Sequence, residues 1–420
     1  MTGRDISAQI DLTRYYLTPL RVLVICGGLL VIAIGVSIVQ FSQARDNLLP
    51  GGAPVGGDYV VFYGAAIAAS EGEALKTYDH EAFEEHLLEV GPPREDYKLT
   101  WQYPPTYFLM VLPLAFLPFV PGYLAWTGGT AAVYFATMRK AGFSWLILFV
   151  ILSAPSAFHA IITGQNGFLT ASLIALAALY PDKRPLLAGL AAALLTVKPQ
   201  LGVLLPIAYM FGGHWRAFWV AAIGTIVFGA TATFVFEPEI WTGFLQSAGL
   251  VSERLGEGIM PIFKMITPFA WAKYLGLPFF LAAAFHGLFA IVTICAVARI
   301  WRTVPDQELR AAALCAGIFF VAPYGYYYEM IILALPVAIL AKRALEQGWL
   351  QWEQGAIAMM YIGPMMMPGT ETRIGFSFGF PCAVLIAAGV IRRIEHDYPG
   401  TFGHFFSRFS VARRPVAPTP

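Results

Sequence analysis

Two ionisable side chains sit where an apolar chain should carry none: Lys198, in the middle of the run 185–212, and Glu329, at the start of the run 328–341. A third, Asp58, opens a short apolar stripe. A charge at the centre of a membrane segment costs roughly 2.5 to 3.5 kcal/mol on insertion scales, so such groups collect along cavities and reaction paths. A carboxylate there can take a proton from a hydroxyl, and an ammonium can compensate an anion such as phosphate.

Each lies in a distinctive local sequence. Asp58 belongs to Gly56-Gly57-Asp58-Tyr59-Val60-Val61-Phe62-Tyr63, where the glycines permit a sharp turn and an aspartate can cap the helix that follows. Capping and proton abstraction are compatible, because a carboxylate has two oxygens. Lys198-Pro199-Gln200 breaks its run, and a break inside a membrane is tolerated where protein or a water-filled cavity meets the freed backbone groups. An ammonium at such a break suits a phosphate, with a structural ion pair as the alternative. Pro323-Tyr324-Gly325-Tyr326-Tyr327-Tyr328-Glu329 gathers four phenols and a carboxylate, and Glu329 needs a partner, either Lys198 or a substrate hydroxyl.

Three further stretches could line a site. His159 to Asn166 ends an apolar run, and Gly164-Gln165-Asn166-Gly167 supplies side-chain and backbone amides, as a turn or as a binding loop. Tyr103-Pro104-Pro105-Thr106 combines first-turn prolines with Trp101 and Tyr103 of an interfacial aromatic belt, and could form the floor of a site. The segment 237–276 holds Trp241, Phe244, Arg254, Lys264 and Lys273, which suits a surface-lying helix that meets a lipid head group.

The elements that must position these groups are membrane helices. Of 420 residues, 58% are hydrophobic and 13% charged, about half the charged share of a soluble domain. The net charge of +1 leaves no basic surface for nucleic acid. Cys26, Cys295, Cys315 and Cys382 lie singly in apolar runs, as packing residues rather than metal ligands. Leu20 to Phe41 approximates the roughly 20 residues of one crossing, and Arg4 and Arg14 before it, with Arg21 at its start, place the N-terminus in the cytoplasm as a retained anchor.

Residues 42–103 carry eleven acidic residues against four basic ones, the mark of a translocated loop. Within them Tyr59, Phe62, Tyr63, Ala66 and Ile67 form one apolar stripe on a short helix, and Asp79 to Val90 a more polar one; both should lie along the outer membrane surface. Further apolar runs cover 104–138, 143–162, 167–181, 185–212, 217–236, 277–298, 309–323, 328–341, 355–367 and 374–391. The basic pairs Arg139/Lys140, Lys183/Arg184, Arg299/Arg302, Lys342/Arg343 and Arg392/Arg393 put 163–167, 237–276, 324–328 and 368–373 outside together with the first loop. Prolines in 104–138 and Lys198-Pro199 in 185–212 predict half-helices or a hairpin. The expectation is an all-α polytopic membrane protein of about twelve spans: one domain over 1–398, then a disordered cytoplasmic tail over 399–420.

In order and spacing, Gly57-Asp58-Tyr59 to Tyr63, Tyr103-Pro104-Pro105 with Leu112-Pro113 and Leu117-Pro118, Gly164-Gln165-Asn166-Gly167, Lys198-Pro199 and Pro323-Tyr324 to Glu329 resemble glycosyltransferase family 87. These are GT-C class membrane enzymes that include polyprenyl-phosphate-mannose-dependent mannosyltransferases of bacterial glycolipid assembly. The resemblance implies a GT-C helical bundle in the inner membrane, an active site at the outer leaflet, a polyprenyl-phosphate sugar as donor, a lipid or glycan as acceptor, and Asp58 as catalytic base. The stretch 323–329 departs from it, with tyrosines and Glu329 where relatives often carry His or Asp.

The chemistry needs one carboxylate. Transfer from a polyprenyl phosphate resembles inverting glycoside hydrolysis with an acceptor hydroxyl in place of water, and the leaving phosphate requires no proton donor. It gains charge, so Lys198, Arg254, Lys264 or His159 should lie near it, with Tyr59, Tyr63, Tyr103, Gln165, Asn166, Tyr324, Tyr326 and Glu329 toward substrate. No DxD motif for a metal-bound nucleotide is present, so neither metal nor cofactor is expected. The rival readings are a transporter or flippase of a lipid-linked sugar, which should show internal repeats, and a lipid-linked glycan polymerase or ligase.

Overall fold

The computed structural model describes residues 18–257, 261–373 and 377–403; Arg4, Arg14 and most of the tail lie outside them. Among the described residues every regular element is a helix, and the only β pairing is three isolated bridges. Three helices are long and apolar enough to cross a membrane: Leu20–Ser42, Trp215–Phe236 and Phe279–Thr303. A fourth crossing is available if the pair Trp145–Leu152 and Pro155–Ile162, bent by 59°, counts as one. Pro155 explains that bend, since it starts the second helix with no N–H to give to the first. The count of about twelve is not confirmed, because many of the apolar runs fold as shorter helices.

The run 185–212 is a hairpin. One arm, Pro185–Val197, rises from Lys183/Arg184, and the other, Pro199–Gly212, returns to the same end. Its base is tied where the Tyr209 hydroxyl donates to the carbonyls of Ala177 (2.9 Å) and Ala188 (3.2 Å). Lys198 is the apex, with non-helical backbone between the arms. The rising arm packs against Trp215–Phe236 through small residues: a Cβ on Gly189 would stand 2.6 Å from Val220, and one on Gly224 would stand 2.8 Å from Ala193. Glycine permits that approach, which is how membrane helices gain packing without a hydrophobic driving force. At about 1.5 Å per residue, the 13-residue helix Gly167–Leu179 is about 20 Å long and the rising arm similar, short of the ~30 Å hydrocarbon thickness.

Other expectations change in detail. The helix Tyr59–Ser70 does not present a single apolar stripe; Tyr59, Val60, Val61, Phe62, Gly64, Ala65, Ala66, Ala68 and Ala69 are all buried. The next helix, His80–Val90, covers one side of it, with Phe83 and Leu87 against Gly64, and the aromatic residues Trp101, Tyr103 and Tyr107 cover another. A stripe pattern cannot tell a half-covered helix from an enclosed one when its polar positions are Ala and Gly. The segment 368–373, expected to lie outside, is helical, part of Glu353–Arg373. Six residues are under two turns, so the helix simply runs past its apolar stretch.

The amphipathic helix Glu239–Glu257 lies on the surface, with Trp241 donating to Thr233 at 2.7 Å. Several of the basic pairs are engaged at one end of the bundle. Lys342 meets Glu308 at 2.6 Å, Arg343 pairs with Asp306, and the buried Arg393 pairs with Glu353 at 2.5 Å.

Candidate functional site

Asp58 owes its position to two loops in backbone contact. Gly56 (φ 79°) and Gly57 (φ 51°) turn the chain in left-handed conformations, and Tyr59 N–H closes on Gly56 O at 2.9 Å. Opposite them Gly164 (φ 58°) ends the helix Pro155–Ile162 and its turn. A Cβ on Gly57 would stand 3.1 Å from Thr163 Cα, and one on Gly164 would stand 2.7 Å from Gly56 O. Any side chain at either place would force the loops apart. The helix Phe119–Lys140 clamps the second loop, with Tyr123 Oη donating to Ile161 O (2.8 Å) and Trp126 Nε1 to Gly164 O (3.1 Å).

The Asp58 side chain does not cap its helix. Its Oδ2 accepts from Gln165 Nε2 at 2.6 Å, and Gln165 Oε1 in turn accepts from the Tyr103 hydroxyl at 3.4 Å. Asp58 keeps partial solvent access yet is densely surrounded by protein. Burial raises its carboxyl above the ordinary 3.8, against the lowering effects of the Gln165 hydrogen bond and the charges of Lys264 and Lys198. A carboxyl raised by burial is a stronger base than a free one, which is the direction wanted of a proton acceptor.

Lys198 meets Glu329 at 2.6 Å, and both are buried, with side chains 7% and 3% exposed. The second carboxylate oxygen accepts Tyr326 N–H at 2.8 Å, at the start of the 3₁₀ segment Tyr327–Leu333. The ammonium lies 5.5 Å from the ring centre of Tyr103 and 5.4 Å from that of Tyr328. Aromatic faces attract a cation, so the two rings add to the Glu329 contact in holding the Lys198 side chain at the apex. The Tyr103 phenol therefore touches both the lysine and the glutamine that holds Asp58.

Lys264 reaches this region because its segment pairs with the tyrosine stretch: Met265 bridges Tyr326, and Ile266 N–H donates to Gly325 O at 2.9 Å. Tyr326 stacks on Tyr328 with centroids 5.6 Å apart, while Tyr324 joins the small apolar cluster around Met265 and Phe269. Asn166 is buried; its Nδ2 donates to Tyr107 Oη at 3.0 Å, and its Oδ1 has no partner.

Other expected members stand apart. Tyr59 is fully buried among Phe119, Tyr123 and Tyr63, with no partner for its hydroxyl, which a Cβ on Gly122 would meet at 2.3 Å. It packs the core beneath the loop, and Tyr63 flanks it at the same cluster, 6.1 Å away. His159 places Nε2 3.2 Å from Pro364 O and its ring edge-on to Tyr327 at 4.9 Å. Arg254 is exposed on Glu239–Glu257 and forms no ion pair with a described residue. Two residues absent from the expectation belong here: Tyr328, over Lys198, and Tyr107, against Asn166. Their signals were the i, i+4 spacing of Tyr103 and Tyr107 at a helix start, and the adjacency of Tyr328 to Glu329.

Among the described residues no group of three His, Cys, Asp or Glu could hold a metal ion. The arrangement is a held carboxylate with one free oxygen, a lysine on a buried carboxylate, a second lysine, and a rim of phenols. That set can deprotonate a neutral hydroxyl and compensate an anion. In comparisons with known proteins, a model described as glycosyltransferase family 87 matches residues 101–323, more than half of the chain. That stretch contains Tyr103, Gln165, Lys198 and Lys264, and leaves Asp58 and Glu329 on either side. No curated protein and no solved structure matches.

Proposed function

The chain belongs to glycosyltransferase family 87, and from that premise we propose that this membrane glycosyltransferase moves a hexose, mannose first, from a polyprenyl phosphate to a lipid or glycan hydroxyl. In this reading the reaction takes place at the outer leaflet of an inner membrane, within a GT-C bundle completed by the shorter helices. The observation that carries it is Asp58, held through one oxygen by Gln165 with the other free, in the field of Lys198 and Lys264.

In the proposed step Asp58 takes the proton of the acceptor hydroxyl as that oxygen attacks the anomeric carbon. The bond from that carbon to the donor phosphate breaks on the opposite face, inverting the centre, and the polyprenyl phosphate leaves with the electron pair. Lys198 has ammonium hydrogens beyond the one on Glu329, and with Lys264 it would stabilise the charge the phosphate gains. Asp58 carries the proton away, so no second acid is required. Glu329 keeps the lysine in place rather than acting on substrate.

The dimensions are compatible with a lipid donor. With the apex of the hairpin about 20 Å from its base, Lys198 would sit below the outer face of the hydrocarbon, within reach of a phosphate drawn slightly inward. Beside the apex an apolar cavity of about 510 Å³ runs between both arms and Trp215–Phe236, lined by residues such as Leu195, Pro199, Val203, Phe218 and Ile226. It suits an isoprenoid chain.

The test is a transfer assay on purified protein in detergent with polyprenyl-phosphate mannose and glucose and a glycolipid extract as acceptor. Glycolipid formation without any membrane gradient is expected. Gradient-dependent movement of intact donor across vesicles, with no new glycosidic bond, would replace the enzyme with a flippase. Successive additions of preformed lipid-linked glycan would favour a polymerase.

A further inference from the structure

Gln165 is held at both ends of its amide. A carboxylate only accepts hydrogen bonds, so the amide nitrogen faces Asp58 and the amide oxygen is left for the Tyr103 hydroxyl. The residue is 6% exposed, and it directly follows Gly164, the point where the two loops touch. Its position along the chain is therefore fixed by backbone packing and its rotation by two polar partners. Asp58 Oδ2 is occupied by this contact, and no described residue bonds to Oδ1.

We infer that Gln165 is a positioning residue: together with Tyr103 it fixes the Asp58 carboxylate through Oδ2, leaving Oδ1 to meet the acceptor hydroxyl. This rests on Asp58 being the general base, and it reassigns Gln165 from substrate binding. A carboxylate otherwise rotates about its terminal bond, and a base that presents either oxygen at random is aligned only part of the time. Tyr103 adds a link to the donor side, since the same phenol lies under the Lys198 ammonium. A phosphate that shifts Lys198 would move Tyr103, and through it the amide.

The groups that face Asp58 electrically are Lys264 and Lys198, together with the phenols of Tyr103, Tyr326, Tyr327 and Tyr328. Replacing Gln165 leaves both lysine charges in place, and of the phenols only the Tyr103 hydroxyl loses its acceptor, a change that Tyr103→Phe reads separately. Loss of the Gln165 hydrogen bond removes a lowering influence and leaves burial unopposed by it, so the carboxyl rises further.

Two measurements on the full-length protein test the inference. The first is the pH dependence of carbodiimide labelling at Asp58, read by peptide mass spectrometry, which follows the protonated acid whether or not the enzyme turns over. Gln165→Ala should raise the midpoint by roughly one unit, the share of one of the two or three hydrogen bonds that take a carboxylate below 2. The isosteric Gln165→Glu should raise it more, because two adjacent carboxyls share a proton, and Tyr103→Phe less. The second is transfer from polyprenyl-phosphate mannose, where Gln165→Ala should lower kcat about 100-fold with little change in KM for the donor. An unmoved midpoint in both Gln165 variants, or a raised KM at unchanged kcat, overturns the positioning role. If the midpoint moves but Asp58→Asn keeps its turnover, the general-base reading fails instead, and the contact is structural alone.

Discussion

Removing the Lys198 charge separates a catalytic cation from a structural one. In Lys198→Met the Glu329 carboxylate stays behind, 2% exposed, with only the Tyr326 N–H to satisfy it. Breaking one partner out of a buried pair costs about 3–5 kcal/mol, or about 10²- to 10⁴-fold in the ratio of folded to unfolded protein. The single variant should therefore unfold at clearly lower temperature or denaturant in detergent, and its loss of transfer would by itself be uninformative. Lys198→Met with Glu329→Gln removes both charges and keeps an amide oxygen for the Tyr326 N–H. A neutralised pair is often as stable as the charged one, so most of the lost stability should return. Transfer should not return: an electrostatic group aimed at the departing anion is worth about 10²- to 10³-fold in kcat. The assays are thermal unfolding followed by intrinsic fluorescence and single-turnover transfer from polyprenyl-phosphate mannose. A double variant that recovers both stability and near-normal transfer would refute the reasoning, and Lys198 would be a structural ion-pair partner only.

Asp58→Asn should lower turnover by about 10²- to 10⁴-fold, the range for a general base; retained turnover in the same assay would remove Asp58 from the mechanism. Because burial holds the folded carboxyl above 3.8, ionising it opposes folding at neutral pH and does not below 3.8. Asp58→Asn should thus unfold at or above the wild-type temperature at pH 7, and this gain should vanish as the pH falls through the raised value toward 3.8. Gly164→Ala places a Cβ 2.6 Å from Tyr59 Cβ at φ 58°, so it should cost more than about 1 kcal/mol and separate Gln165 from Asp58, which parallel unfolding and transfer measurements would register. Tyr209→Phe removes the one hydroxyl hydrogen shared between the Ala177 and Ala188 carbonyls at the hairpin base and should cost about 1–3 kcal/mol, with an unchanged pH profile for transfer.

The site was readable where chemistry conflicts with environment. Lys198 and Glu329 stood out because ionised groups are rare in apolar runs, and the structure joins them. Asp58 stood out through its glycines, and Lys198-Pro199 announced the break that became the apex of a hairpin. Gln165 was visible as an amide in a Gly-rich turn, but its partner was not, since the contact spans 107 positions of sequence and depends on two left-handed glycines meeting. Tyr59 misled for a related reason. A tyrosine in an apolar stripe looks like an interfacial residue, and only the helices around it reveal that its hydroxyl is enclosed. Run length alone does not give a span count: apolar runs such as 167–181 and 185–212 have membrane composition, whereas their helices are about 20 Å long.

The lysine at the hairpin tip leaves the ribosome 131 residues ahead of the glutamate that neutralises it. Until that later segment arrives, seating the tip at its final depth would strand a bare ammonium in hydrocarbon, at roughly 2.5 to 3.5 kcal/mol. The tip therefore gains its counter-charge only once the segment 323–329 packs against it, so Glu329 ties the settling of the hairpin to the folding of a segment far downstream.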